Sequence, residues 1–166
     1  VMDFDFTDYY RREMGGPLRR QFVSFAPLVP PEALVRAKRL SNSLEARFAE
    51  RYGVEAGAGG VPLGGESRAG GTTPGGEGQA PVAVRPINLD PGYVDSPKLV
   101  LASMKNFAHR IYLGDGVFAE VTLLHRRGQW TPLEWTFPDY ASGRYWPFLD
   151  RVRRRLREQL GSETRS

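Results

Sequence analysis

The chain contains no cysteine, which excludes disulfides, thiolate nucleophiles and cysteine-ligated zinc or iron–sulfur centres. Histidine is almost as scarce, at 2 residues in 166, and no HExxH occurs, so neither a structural nor a protease-type zinc site has its ligands. The sequence also lacks the run of roughly 18 apolar residues that a membrane-spanning helix requires. Its opening, VMDFDFTDYY, is acidic and has no basic region leading into an apolar stretch, so it does not read as a signal peptide. A cytoplasmic protein is the expectation. Charge of one sign is not in excess either: 23 Lys plus Arg stand against 19 Asp plus Glu, a net charge of +4. That balance favours solubility and weakly attracts anions, and it does not by itself imply nucleic acid.

Hydrophobic residues make up 40% of the chain and charged residues 25%, values of a globular protein rather than a disordered one. The 19 glycines and 13 prolines are unevenly spread. Much of the glycine lies in 55–80, EAGAGGVPLGGESRAGGTTPGGEGQA, where only Val61 and Leu63 offer a clearly aliphatic side chain to offset the entropy of ordering. This block is expected to be a disordered surface insertion within a single α+β domain over 1–160, with 161–166 a frayed tail. It is not a phosphate loop, having no lysine and no following helix.

Two helices stand out. In 32–52, Ala33, Ala37, Leu40, Leu44 and Phe48 form one apolar stripe, with Pro31 suited to the first turn and Gly53 to the C-terminal cap. In 145–160, Tyr145, Leu149, Val152, Leu156 and Leu160 share a face, and Arg151, Arg154, Arg155 and Arg157 lie largely off it. A short helix through Tyr9, Tyr10 and Met14 is also compatible with the pattern. Strands are expected at 21–25, in VAVRPIN from Val82, and at 129–136 after a turn at Gly128, ended by Pro138. Ser96-Pro97 reads as a helix start, cap followed by first-turn proline, for a helix reaching Ser103 or Lys105.

Segments 107–113 and 117–124 read as a hairpin around Gly114-Asp115-Gly116. The Asp-Gly dipeptide alone suggests a two-residue turn. A three-residue turn with Gly116 left-handed is preferred, because it pairs Leu113 with Val117, Ile111 with Ala119 and Phe107 with Leu123 on a face that is apolar apart from His109. In that register Arg110 faces Glu120; in the other, Glu120 moves to the side of His109. The whole is expected to form a two-layer α+β sandwich, an antiparallel or mixed sheet with its helices on one face.

The candidate site lies in this stretch. His109 can transfer protons near neutral pH, with Glu120 as the carboxylate that orients it. Asp90, Lys98, Lys105 and Arg110 are candidate ligand-binding residues, gathered with the helix amides following Ser96 into a pocket for an anionic small molecule such as a nucleotide or phosphate ester. Asp8, Asp90, Asp115 and Glu120 have no spacing that defines a metal loop, so no metal is assigned and no cofactor is identified. The alternative is a nonenzymatic module for RNA or protein, using the scattered arginines with Tyr9, Tyr10, Trp130, Trp135, Tyr140, Tyr145 and Trp146. No RNP, KH or helix-turn-helix pattern supports it, and no motif fixes a reaction.

FDFTDYY, INLDPGY, KNFAHRIYLGDGVFAEVTLL and WTFPDY, in that order, resemble an uncharacterised bacterial family, the domain-of-unknown-function family numbered 4416. The likeness covers nearly the whole chain except the glycine-rich block. It carries no established activity; it implies family positions at Asp8, Tyr9, Asn88, Asp90, Gly92, Tyr93, Lys98, Lys105 and Asn106. Further on it implies His109, Arg110, Asp115, Glu120, Trp135, Pro138, Asp139 and Tyr140. The resemblance also implies a preceding strand and helix, which would complete a ferredoxin-like β-α-β-β-α-β order and cover an edge left open here.

Overall fold

The computed structural model describes residues 1–6, 14, 18–52, 55–56, 82–83 and 86–163. Its centre is a five-stranded antiparallel sheet of β5 (Gly92–Asp95), β6 (Lys98–Ser103), β7 (Ile111–Gly114), β8 (Val117–Arg126) and β9 (Gln129–Pro132). The order is β5-β6-β8, and the far edge of β8 is shared by β7 at one end and β9 at the other. Two shorter ladders accompany it: β1 (Met2–Asp3) with β2 (Arg19–Arg20), and β3 (Glu55–Ala56) with β4 (Val82–Ala83). The helices are α1 (Ala33–Tyr52), α2 (Pro138–Ala141) and α3 (Trp146–Glu163).

The mixed α+β class holds, but the helices do not share one face. Along β6, Val100 and Ala102 pack with Leu34 of α1, while Leu99 packs with Tyr145 and Leu149 beside and on α3. Successive strand residues point to opposite faces, so α1 and α3 cover opposite sides. Neither 21–25 nor the described residues of 82–88 join the sheet either; the dipeptides 19–20 and 82–83 pair in the two small ladders. Consecutive strands of the main sheet meet as antiparallel hairpins or through a loop, and the described residues show no ferredoxin-like order. The helix expected through Tyr9 and Tyr10 lies outside the described residues, as does the insertion expected at 55–80 except its first two residues, Glu55 and Ala56, which pair with β4.

Segment 96–105 is the clearest correction. Ser96 and Pro97 form the two-residue bend between Asp95 and Lys98, and the chain continues from there as strand β6. Asp95 holds the bend, accepting from the Ser96 amide at 2.7 Å and from Lys98 Nζ at 2.9 Å. The run Leu-Val-Leu-Ala at 99–102 shows no alternation because both faces of β6 are covered, the pattern of a buried strand, which a short apolar helix also shows.

α1 also presents a different face. Leu34, Lys38 and Ser41 are buried, whereas Leu40 is 59% exposed and Phe48 is also exposed. The helix sits over the chain entering β5: Lys38 Nζ donates to the Leu89 carbonyl at 3.2 Å, and the Leu89 amide donates to Glu45 Oε1 at 2.6 Å. Satisfying that backbone decides which side turns inward. α3 conforms better, with Tyr145 and Leu149 fully covered, although Leu160 is exposed. The strand expected over 129–136 stops at Pro132, so Pro138 does not end it but opens α2, where its missing N–H costs nothing.

The β7–β8 hairpin combines two readings. Ile111 pairs with Ala119 and Tyr112 with Phe118, the preferred register. Yet Gly114 pairs with Val117 across a two-residue Asp115-Gly116 turn, both with positive φ, the type I′ geometry that Asp-Gly favours. Leu113 is the extra residue that reconciles them, a β-bulge. Residues 107–110 are not strand, Phe107 does not pair with Leu123, and Leu123 pairs with Pro132 instead. The face expected to be apolar is largely open to solvent at β7, where Ile111 is 70% exposed. Gly128 turns the chain as expected, with Arg127 and Gly128 both at positive φ.

Candidate functional site

A gap in the sheet creates the site. On its outer edge β8 is paired by β7 up to Ala119 and by β9 from Leu123 onward, which leaves 120–122 without a strand partner on that side. Side chains from the segment after β9 take over: Trp135 Nε1 donates to the Val121 carbonyl at 2.9 Å, and Thr136 Oγ1 donates to the Thr122 carbonyl at 2.6 Å. This satisfies exposed edge acceptors and fixes the Trp135 indole beside the gap.

Glu120 occupies the gap and is 3% exposed. Arg110 meets one of its oxygens, Oε2, through Nε and Nη2, each at 2.8 Å, and His109 Nε2 lies 3.1 Å from the same oxygen. Thr122 Oγ1 is 3.4 Å from the other oxygen. Neighbouring residues 109 and 110 reach one carboxylate because they belong to a turn, closed by the Arg110 amide donating to the Phe107 carbonyl at 2.9 Å. The alternation that would separate them in a strand does not apply there.

Arg110 has little left to offer a ligand. Its Nη1 donates to Ser103 Oγ at 2.7 Å and to the Lys105 carbonyl at 3.0 Å, and its side chain is nearly enclosed. The guanidinium also lies 4.5 Å from the centre of the Phe107 ring. His109 is different: its ring stacks on Trp135 with centroids 5.0 Å apart and planes 9° apart, and its side chain keeps some exposure. An ionised carboxylate only accepts, so Nε2 carries a proton, and Nδ1 is an acceptor in the neutral ring and a second donor in the imidazolium, the form that attracts an anion. No partner for Nδ1 occurs among the described residues.

The other expected site residues are dispersed. The Lys105 carbonyl borders the cluster, and its ammonium has no partner among the described residues. Lys98 stands at the opposite end of β6 from Ser103, roughly 17 Å away at strand rise, paired with Asp95. Asp90 turns toward α1, 3.7 Å from Lys38 Nζ, and accepts from Asn88 Nδ2 at 2.6 Å. The anion pocket built on helix amides after Ser96 does not form, because no helix begins there. Among the described residues no three His, Asp or Glu side chains converge as metal ligands. The expectation lacked Ser103, Phe107 and Trp135 as supports of the site; for Trp135 the signal was its place in the motif WTFPDY, beside the tyrosine and aspartate that also prove buried.

That second buried group ties the N-terminal ladder down. Arg20 Nη1 donates to Asp139 Oδ2 at 2.5 Å, Tyr145 Oη donates to the same oxygen at 3.3 Å, and the guanidinium lies 4.4 Å from the Phe4 ring centre. Burial pushes the Tyr145 hydroxyl up to about 12, with Arg20 opposing and Asp139 adding to the shift. Tyr140 is raised further, again chiefly by burial.

Fold and site together define a mixed α+β protein with helices packed on a multi-strand sheet and a buried carboxylate at a break in one edge. The family model described as Domain of unknown function (DUF4416) matches residues 1–54 and 77–156, and the chain belongs to that family. No curated protein and no solved structure matches it. No helix among the described residues is long and apolar enough to cross a membrane.

Proposed function

We propose that the chain binds an anionic small molecule, a nucleotide or other phosphate ester, at the rim formed by His109 and Lys105. The observation that carries this reading is the buried Glu120 carboxylate, which holds the His109 ring by Nε2 and leaves Nδ1 available. Orienting a partly exposed imidazole through a buried acid is an arrangement that functional histidines use. Lys105, whose carbonyl borders the cluster, is exposed and its ammonium has no partner among the described residues, so it offers charge complementary to an anion. Within this reading Arg110 and Glu120 are positioning residues, and Lys98 and Asp90 are not needed. His109 would be the proton-transfer group of any reaction on that ligand.

A thermal-shift screen of nucleotides and phosphorylated metabolites, with and without magnesium, tests the proposal. One compound is expected to raise the Tm of the native chain, and the shift is expected to vanish in Lys105→Ala and His109→Asn while both unliganded variants stay folded. A flat screen, or a shift that survives both substitutions, overturns it.

A further inference from the structure

A second concavity lies elsewhere, between the β8–β9 turn and α3. It is an open groove of about 560 Å³ lined by His125, Gly128, Asp150, Arg153, Arg154, Arg157 and Glu158, within the range of roughly 300–1,000 Å³ typical of ligand sites. His125 is five residues along β8 from Glu120, so roughly 17 Å separates it from the site above at strand rise.

The two carboxylates in this lining are already engaged. Asp150 Oδ1 accepts from Trp130 Nε1 at 2.8 Å, and Glu158 Oε2 lies 3.7 Å from Arg155 Nη1. Arg153 is anchored by its Nε, which donates to the Ser96 carbonyl at 2.7 Å, so it forms a fixed wall. Arg154 and Arg157 have no hydrogen-bond or ion-pair partner among the described residues. They stand three residues apart on α3, about 5–6 Å at Cβ, close enough for one anion to engage both forks. With Arg153, Arg154 and Arg157 against Asp150 and Glu158, the net charge of the lining is positive. The imidazole of His125 registers the same field: burial first, then Arg153 and Arg157, hold it below its ordinary value, with Asp150 pulling the other way.

We infer that this groove is a second anion site, which takes a phosphate-bearing ligand on Arg154 and Arg157 with Arg153 and His125 as its walls. The inference stands independently of the His109 site. The phosphate can belong to a small ester or to the backbone of a single-stranded RNA, and two probes separate these sources. Calorimetric titration of the full chain with pyrophosphate at low salt is the first. Fluorescence anisotropy with a labelled short uridine strand across a salt series is the second.

The Arg154→Gln/Arg157→Gln variant is expected to bind at least about tenfold more weakly, as loss of two charge-assisted contacts implies. Arg36→Gln/Arg39→Gln, which removes the same charge from exposed positions of α1, is expected to bind like the native chain. Lys105→Ala should also leave this binding intact, which separates the two sites. Binding of pyrophosphate identifies a compact phosphate ligand. Binding of the uridine strand alone, weakening steeply with salt, identifies the phosphodiester backbone. Failure of both probes to bind the native chain overturns the inference. So does equal binding by the Arg154→Gln/Arg157→Gln variant, or equal weakening in both double variants.

Discussion

At the residue scale, the Arg110–Glu120 pair has a sharp energetic signature. Taking away one member of a buried pair leaves the other charge uncompensated and costs about 3–5 kcal/mol, whereas replacing both by apolar residues costs far less. Glu120→Ala is therefore expected to lower urea-unfolding stability by about that amount, and Glu120→Leu/Arg110→Met to recover most of it. Equal losses in both variants would mean that the pair contributes through packing alone. The facing of Arg110 and Glu120 was legible in the hairpin register, and so was His109 as a candidate. What the sequence concealed was that both reach one oxygen, because strand alternation treats 109 and 110 as opposite-facing and the turn at 107–110 cancels that rule.

The tyrosines give a pH prediction at the same scale. A tyrosine whose folded pKa lies above its unfolded value favours the folded state while it is protonated. That contribution is complete below the unfolded value of 10.0 and is lost as pH rises through the folded one, about 12 for Tyr145. Stability is expected to fall between these values. Tyr145→Phe should reduce the slope of that fall, and ultraviolet titration should show tyrosines that ionise late. A single ordinary tyrosine titration near 10.0 would contradict the burial of Tyr140 and Tyr145.

At the element scale, helices were easier to locate than to orient. The span of α1 follows from its periodicity nearly to the residue, and α3 begins where expected but runs three residues into the expected tail, to Glu163, yet α1 buries Leu34, Lys38 and Ser41 rather than the stripe through Leu40 and Phe48. Apolar spacing cannot register that the neighbouring surface is the polar backbone at Leu89, which Lys38 and Glu45 satisfy. The consequence inverts the usual ranking. Lys38→Ala, which strands the Leu89 carbonyl and the Asp90 carboxylate, is expected to cost about 1–3 kcal/mol. Leu40→Ala, at an exposed position, is expected to stay within about 0.5 kcal/mol. Thermal unfolding of the two variants measures the difference, and a larger loss in Leu40→Ala would show that the exposed stripe of α1 is packed after all. Strand β6 was missed for a related reason: both its faces are covered, so the alternation that marks a half-buried strand is erased.

At the scale of the whole molecule, a central sheet covered on both faces carries two separate polar constructions along β8, one at Glu120 and one at His125. Neither is a sequence motif in the local sense. The Glu120 cluster joins residues from β6, the 107–110 turn, β8 and the segment after β9, and the arginine groove joins a hairpin turn to a helix. The sequence supplied the ingredients of both without the adjacency, which depends on the break in pairing along β8 and on which face α3 covers. The N-terminal ladder is tied to the far side through Arg20 with Asp139 and Arg144 with Asp5.

The antiparallel pair β3–β4, Glu55 with Ala83 and Ala56 with Val82, brings the two ends of 57–81 together. The intervening sequence is rich in glycine and poor in large apolar side chains, so its replacement by a short turn removes little burial. Loop closure becomes cheaper by about 0.6 kcal/mol for each halving of length, which for this segment amounts to at most roughly 2 kcal/mol in favour of the shortened chain, because the shortest loops are stiff and gain less. Replacing 57–81 with a two-residue Asn-Gly turn is therefore expected to leave Tm unchanged or slightly raised in a calorimetric scan. A fall of more than about 5 °C, on the order of a kcal/mol for a domain of this size, would mean that side chains within 57–81 pack against the rest of the protein.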